Sequence, residues 1–176
     1  MPPAILLSGL GCLCESPCIN QSFFTQQRNM AAVSPRSMSG LSSMNPLFLL
    51  IKTCNNEVFG AYCSSRWLER NQKDERGNRI TYFGTGETFL FSLYPERAKY
   101  PWVGMEGDSV NHSNELFMAA DQKMITVGGG DGQAIWMDEN IRFGKTDHCS
   151  TFNNPPLCPS RDFEIRVLEV YGFGGA

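Results

Sequence analysis

The sequence FGTGETFLFSLY, residues 83–94, places a glycine-containing turn directly before a run of aromatic and apolar residues. Glycine supplies backbone conformations that tight turns need, whereas aromatic and β-branched residues favour strands. We therefore predict a strand over residues 88–94 that follows a turn containing Gly84 and Gly86. Glu87 lies at the junction, where its carboxylate either accepts hydrogen bonds from neighbouring loop N–H groups or is presented to a partner on a rigid turn.

Strand-like segments continue on both sides of this stretch. Residues 47–51 are a continuous apolar run, and Asn55 and Asn56 tolerate the left-handed backbone of a hairpin turn before the returning strand. The further predicted strands are residues 58–63, 80–83, 102–105, 116–120, 124–127, 134–137 and 163–171. Short strands joined by hairpin turns predict a mainly β (α+β) domain, an antiparallel two-sheet β-sandwich.

Few helices are expected in this sandwich. Residues 66–70 follow two serines that could cap a short helix, and residues 95–100 are predicted to form a turn or one helical turn. Residues 140–154 are predicted to be irregular, because two prolines follow them directly.

Residues 1–45 carry few charges and no sustained periodicity, so the predicted division is a loosely ordered leader (1–45), the domain (46–173) and a tail (174–176).

Composition narrows the range of functions. The 176 residues carry a net charge of −3, which is unlike the basic field of nucleic-acid-binding proteins. No apolar run reaches the length of about 18 residues that a membrane span requires, so at most peripheral membrane association is expected. Seven cysteines without a framework spacing argue against a secreted disulfide scaffold and favour the cytoplasm.

Two glycine-containing motifs imitate nucleotide sites. Residues 128–132, GGGDG, lead into an apolar strand where a dinucleotide-binding loop would open a helix. Residues 143–146, FGKT, resemble the end of a phosphate-binding loop, but Glu139 stands where that loop begins with glycine. The cysteines lack the spacing of a zinc site. We therefore predict no cofactor and no metal, and we interpret residues 128–132 as a turn.

The candidate binding residues are Gly84, Gly86 and Glu87 in the turn, with Trp67 as a surface anchor on the short helix. They predict a non-catalytic protein-interaction domain. The alternative is a redox-active or hydrolytic enzyme in which Cys149, His148 and Glu87 meet in one pocket, which would require a thiol of low pKa.

Several blocks of the sequence together resemble the TLDc domain family. They are LLIKT (49–53) with VFGAY (58–62), FGTGETFLF (83–91), GGGDGQAIWMD (128–138), CSTFNNPPL (149–157) and VLEVYGF (167–173). The resemblance is strongest to the subgroup that carries a Rab GTPase-activating TBC domain ahead of the TLDc domain. It implies an antiparallel β-sandwich and emphasises Glu87, because residues 84–87 match the family's most recognisable motif.

The resemblance also implies a function and a cellular location. The expected roles are oxidative-stress resistance, vesicle trafficking and regulation of the vacuolar proton-ATPase through contact with one of its subunits or with a trafficking protein, in the cytoplasm or on vesicle surfaces. No settled catalytic chemistry comes with the family. Residues 1–45 resemble neither a TBC domain nor the family's own opening. The chain is therefore alternatively a fragment of a Rab GTPase-activating protein, with the N-terminal piece of its sandwich missing.

Overall fold

Strands dominate the computed structural model, which describes residues 30–33, 47–65, 69, 71–79, 81–105, 114–121 and 123–173. The ten strands of these residues are β1 (Met30–Val33), β2 (Leu47–Thr53), β3 (Val58–Cys63), β4 (Phe89–Tyr94), β5 (Ala98–Pro101), β6 (Met118–Ala120), β7 (Met124–Val127), β8 (Ile135–Asp138), β9 (Phe143–Lys145) and β10 (Asp162–Phe173). One short 3-10 helix, Val103–Met105, is the only complete helix described. It is too short to span a membrane, and no other described segment offers a spanning helix.

Two meanders of neighbouring antiparallel strands make up the sheet. Strands β2 to β5 pair in sequence order, and strands β6 to β9 do the same. Strand β10 lies between the meanders, since Asp162 to Glu164 pair with β9 and Ile165 to Gly172 pair with β2. All of these pairs are antiparallel, so the prediction of a mainly β, antiparallel fold is confirmed. Because β10 hydrogen-bonds to both β2 and β9, the two meanders belong to one continuous hydrogen-bonded series of strands.

One hydrophobic core holds the two halves together. It contains Leu49 and Phe59 from the first meander and Ile125 and Met137 from the second, all fully buried. The rings of Phe59 and Phe163 meet edge to face with centroids 5.1 Å apart. Burial of each such side chain contributes about 1.5–3 kcal/mol, so the core stabilises both halves jointly.

The opposite face of the first meander is aromatic. The rings of neighbouring strands contact one another here, and their centroids lie 5.0–6.1 Å apart; the residues are Phe48, Tyr62, Phe89 and Phe91. Cross-strand register explains the arrangement, because Tyr62 stands opposite both Phe48 on β2 and Phe89 on β4. Residues directly opposite in an antiparallel pair have side chains on the same face. We call these four residues the aromatic face.

Four local predictions are wrong. Residues 98–101 form strand β5, where a turn was expected, and residues 143–145 form strand β9 inside a stretch predicted to be irregular. Residues 103–105 form the 3-10 helix in place of a strand. In the predicted strand 80–83, the described residues show only an isolated bridge, between Phe83 and Met118. Strands β5 and β9 form because they pair with strands on their flanks, β5 with β4 and β9 with β8 and β10, and this pairing overrides the local pattern.

The segment 1–45 contributes one described element. Strand β1 pairs with the last residues of β10, from Met30 opposite Phe173 to Val33 opposite Val170. No strand was expected there. Residues 1–29 and 34–45, the tail 174–176 and nearly all of the predicted helix 66–70 lie outside the described residues.

Candidate functional site

The 84–87 loop is hydrogen-bonded to the end of β3 through one serine. Ser64 Oγ accepts hydrogen bonds from the Thr85 N–H at 3.0 Å and from the Thr85 hydroxyl at 2.9 Å. It also lies 2.8 Å from the hydroxyl of buried Thr88, and the Thr88 N–H donates to the Thr85 carbonyl at 3.1 Å. These contacts fix both sides of the turn against the strand that precedes it.

The two glycines of the loop are required by close contacts. Gly84 has a φ of +109°, which disfavours any residue with a Cβ. A Cβ on Gly86 would lie 2.3 Å from the indole ring of Trp102, so the loop backbone rests directly on that ring. A Cβ on Gly84 would similarly lie 3.0 Å from Met118 Cε. Glycine at both positions therefore allows the loop to pack against its neighbours.

Trp102 is itself held in place. Its Nε1–H donates a hydrogen bond of 2.8 Å to the Asn114 carbonyl, and its ring meets Phe117 edge to face at 5.5 Å. Gly104 also lies against the indole, since a Cβ there would be 2.3 Å from the ring. The loop is thus supported by an anchored ring beneath Gly86 and by Ser64 at its side.

Glu87 is exposed at the end of this loop. Its N–H lies 3.4 Å from Thr85 Oγ1, and its carboxylate forms no ion pair with any described residue. Burial raises the pKa of the Tyr62 hydroxyl, and the negative charge of Glu87 raises it further. The backbone of Glu87 lies beside the end of β3, because Ser64 contacts Thr85 and Thr88 on either side of it.

The structure brings Gly84, Gly86 and Glu87 together in one loop, as the sequence predicted. Trp67, the predicted surface anchor, lies outside the described residues. Sequence reasoning missed Ser64 and Trp102 as residues that position the loop. Ser64 was interpreted as part of a helix cap and Trp102 as part of a predicted strand, because their contacts with the loop are not local.

The residues of the alternative enzyme are arranged differently from a catalytic pair. The Cys149 thiol is buried, it contacts Asn154 Oδ1 at 3.1 Å, and burial raises its pKa. A nucleophilic cysteine needs the opposite shift. His148 directs its ring nitrogens elsewhere, Nδ1 to Asp131 Oδ2 at 2.7 Å and Nε2 to Asn153 Oδ1 at 3.0 Å. These contacts leave His148 without a role as base for Cys149.

The histidine belongs to a surface cluster that links two loops. Asp131 accepts a hydrogen bond of 2.7 Å from the Ser150 hydroxyl and contacts His148. The Ser150 bond lowers the pKa of Asp131, and hydrogen bonds to Asn153 and then Asp131 raise the pKa of His148. The Ser150 hydroxyl and the His148 ring both contact the Asp131 carboxylate, and within the described residues no hydrogen bond joins them to each other or to Glu87. This cluster fastens the 128–132 loop to residues 148–153.

The glycine loop 128–132 has the predicted structural role. It reverses the chain between β7 and β8, and Gly128 and Gly130 have φ values of +81° and +109°. A Cβ on Gly128 would lie 2.7 Å from Cys149 Sγ, so the loop covers that thiol. Within the described part of the chain, no group of three or more His, Cys, Asp or Glu side chains could hold a metal ion.

The model of the TLDc domain matches residues 33–174. The chain belongs to the TLDc domain family. This TLDc domain is 82% identical over 131 residues to the GTPase-activating protein skywalker of Drosophila melanogaster, covering 74% of this chain and 22% of that protein. It is also 38% identical over 168 residues to TBC1 domain family member 24 of Xenopus tropicalis, covering 73% of this chain and 29% of that protein.

A more distant relative shares the same domain. Oxidation resistance protein 1 of Rattus norvegicus is 33% identical over 139 residues, which cover 78% of this chain and 14% of that protein. The chain therefore spans less than a third of each of these three relatives. The resemblance inferred from the sequence blocks is confirmed, including the similarity to a protein named as GTPase-activating.

Proposed function

We propose that this TLDc domain is a non-catalytic protein-interaction domain that docks a protein partner on its 84–87 loop. The observation that supports the proposal is the pre-formed loop: Ser64 holds its side, Trp102 supports Gly86, and Glu87 projects into solvent. A loop already held in its bound shape loses less conformational entropy on binding, which favours affinity.

The buried thiol of Cys149 and the occupied ring of His148 also favour binding over catalysis. The proposed roles are vesicle trafficking and oxidative-stress resistance, the second in keeping with the name of oxidation resistance protein 1. We propose a trafficking protein or a subunit of the vacuolar proton-ATPase as the partner, in the cytoplasm or on vesicle surfaces.

A second candidate function follows from the 82% identity to a GTPase-activating protein. In that case the domain serves a longer protein whose other part activates a Rab GTPase. The chain itself would then lack GTPase activation, and fusion to the remainder of the relative would supply it. A GTP-hydrolysis assay on the chain and on the fusion separates these functions.

The test of the docking loop first captures partner proteins from cell extract with the unaltered chain and its variants. Each captured protein is then purified, and its binding to the unaltered chain and to each variant is measured. Gly86→Ala places a Cβ against Trp102 and should displace the loop. Gly77→Ala is the control, because a Cβ there meets nothing within 4 Å, although its φ of +80° adds backbone strain. We expect the purified partner to bind the control and the unaltered chain but to bind Gly86→Ala at least about tenfold more weakly. Equal binding by all three proteins would overturn the docking role of the loop.

A further inference from the structure

We propose that His148 acts as a proton-operated latch between the glycine loop 128–132 and the turn 148–153. The latch consists of the His148 imidazole, the Asp131 carboxylate and the Asn153 side-chain amide. It is closed when both ring nitrogens carry a proton, and loss of one proton loosens it. The latch is a regulatory element separate from the 84–87 docking loop.

The contacts of the His148 ring favour the charged imidazolium. Nδ1 lies 2.7 Å from Asp131 Oδ2, and Nε2 lies 3.0 Å from Asn153 Oδ1. A carboxylate oxygen and an amide oxygen both accept hydrogen bonds, so each ring nitrogen must donate. Neutral imidazole carries one N–H, whereas the imidazolium carries two. Only the imidazolium therefore satisfies both contacts at once.

Removal of the Nε2 proton makes the contact with Asn153 repulsive. A lone pair on Nε2 would then face the Asn153 Oδ1 lone pairs at 3.0 Å. The conflict ends when the Asn153 amide rotates by half a turn and offers its NH2 group, or when the turn moves away from the ring. The first route leaves a neutral hydrogen bond, which is weaker than a charge-assisted one, and the second leaves none. By either route the latch is weaker in the neutral state.

The charged groups around the ring stabilise its proton. Hydrogen bonds to Asn153 and Asp131 raise the pKa of His148, and the negative charges of Asp131 and Asp147 raise it further. Arg161 lies 3.2 Å from the Asp147 carboxylate and offsets part of that charge. Asp131, at 2.7 Å from Nδ1, is therefore the main anion at the ring. We expect the latch to change state above the ordinary histidine pKa of about 6.5.

The two loops also share contacts that do not depend on the histidine proton. Asp131 accepts a hydrogen bond of 2.7 Å from the Ser150 hydroxyl, and Thr151 Oγ1 donates one of 3.3 Å to the Gly129 carbonyl. Both bonds come from neutral hydroxyl donors, so they remain when His148 becomes neutral. The proton therefore sets how firmly the loops are held together, and its loss does not separate them.

The first experiment titrates the His148 ring of the full chain by NMR between about pH 5 and pH 9. The sequence contains two histidines, so His112→Gln leaves His148 as the single imidazole signal. We expect a midpoint above the ordinary value of about 6.5. Asp131→Asn and Asn153→Gly should each lower this midpoint, and glycine at 153 accepts the left-handed backbone found there, with a φ of 46°.

Ser150→Ala is the matched control, because it removes a bond to Asp131 but leaves both contacts of the His148 ring in place. Its midpoint should stay above the midpoints of Asp131→Asn and Asn153→Gly. A midpoint at or below the ordinary histidine value in the unaltered ring environment would overturn the latch. So would a midpoint that neither Asp131→Asn nor Asn153→Gly lowers.

The second experiment measures whether the proton fastens the turn 148–153. The Asn153 N–H donates to the Cys149 carbonyl at 2.9 Å. Its protection factor against hydrogen exchange should fall about two- to fivefold as the pH rises through the His148 midpoint, as expected for loss of an exposed ion pair. The Gly77 N–H, which donates to the Asp74 carbonyl at 2.9 Å in another surface turn, should keep its protection factor.

His148→Gln separates a latch from a histidine that is merely charged. In this variant the protection factor of the Asn153 N–H should be the same below and above that pH. A raised midpoint combined with constant protection in the unaltered chain would overturn the latch, since the proton would then hold nothing in place. An equal fall in protection in His148→Gln would also overturn it.

Discussion

Replacement of Gly86 by alanine tests whether the 84–87 loop depends on the tryptophan beneath it. The new Cβ would lie 2.3 Å from Trp102, whereas ordinary van der Waals contact begins at 3.4 Å. The Trp102 ring cannot easily move far enough to relieve this contact, because its Nε1–H is hydrogen-bonded to the Asn114 carbonyl and the ring packs against Phe117. Either the loop or the ring must move by about 1 Å, as overpacking of this kind requires.

The expected loss of stability follows from two opposing effects. Overpacking costs about 1–3 kcal/mol, and alanine offsets about 0.4–1 kcal/mol by restricting the unfolded chain. The net loss is therefore about 1–2 kcal/mol, which for a domain of this size lowers the Tm by about 3–10 °C. Thermal denaturation followed by circular dichroism measures the shift.

A double-mutant cycle shows whether Trp102 causes the loss. Trp102→Leu removes most of the ring against Gly86, so Gly86→Ala should cost much less in that background. We expect a coupling free energy of about 1 kcal/mol or more between the two positions. Additive losses, within about 0.5 kcal/mol, would refute the contact as the reason for glycine at position 86.

Three further predictions concern the core, the surface histidine and the thiols. Gly60→Ala should destabilise the domain by about 3 kcal/mol or more and reduce its soluble yield, because the Cβ would lie 1.9 Å from a carbonyl oxygen of β2. Since the bond to Asn153 raises the pKa of His148, the stability it contributes is complete below the unfolded pKa of about 6.5 and is lost as the pH rises through the folded pKa. The urea midpoint should accordingly fall between about pH 6 and pH 8 more in the unaltered chain than in His148→Gln, and parallel curves would contradict this. Iodoacetamide should modify exposed Cys54 at least about tenfold faster than buried Cys149, as measured by mass spectrometry. Comparable rates at the two cysteines would instead support the enzyme that uses Cys149.

Much of the fold could be predicted from local sequence. Residues 58–63 and 124–127 form strands with the predicted bounds, because each combines an apolar run with turn residues on its flanks. Asn56 adopts the expected left-handed conformation, with a φ of 68°. Strand β9 could not be predicted in this way, since two of its three residues, Gly144 and Lys145, are of types depleted in strands. They pair because β8 and β10 lie on both sides.

The candidate site was only partly predictable for a related reason. Turn chemistry and family resemblance both emphasised Gly84, Gly86 and Glu87. The contact of Gly86 with Trp102 and the bonds of Ser64 to Thr85 depend on the packing of separate segments. Sequence therefore identified the loop, but the residues that make it rigid became visible only in three dimensions.

The position of β10 between the two meanders has a consequence for the order in which the domain assembles. β9 and β10 follow one another along the chain, whereas β2 and β10 come from opposite ends of the domain. Local pairs form more readily than distant ones, so we expect the pairing of β2 with β10 to form late. Until then β2 and β10 each expose unpaired backbone groups, and a newly made chain needs protection by chaperones most during this interval.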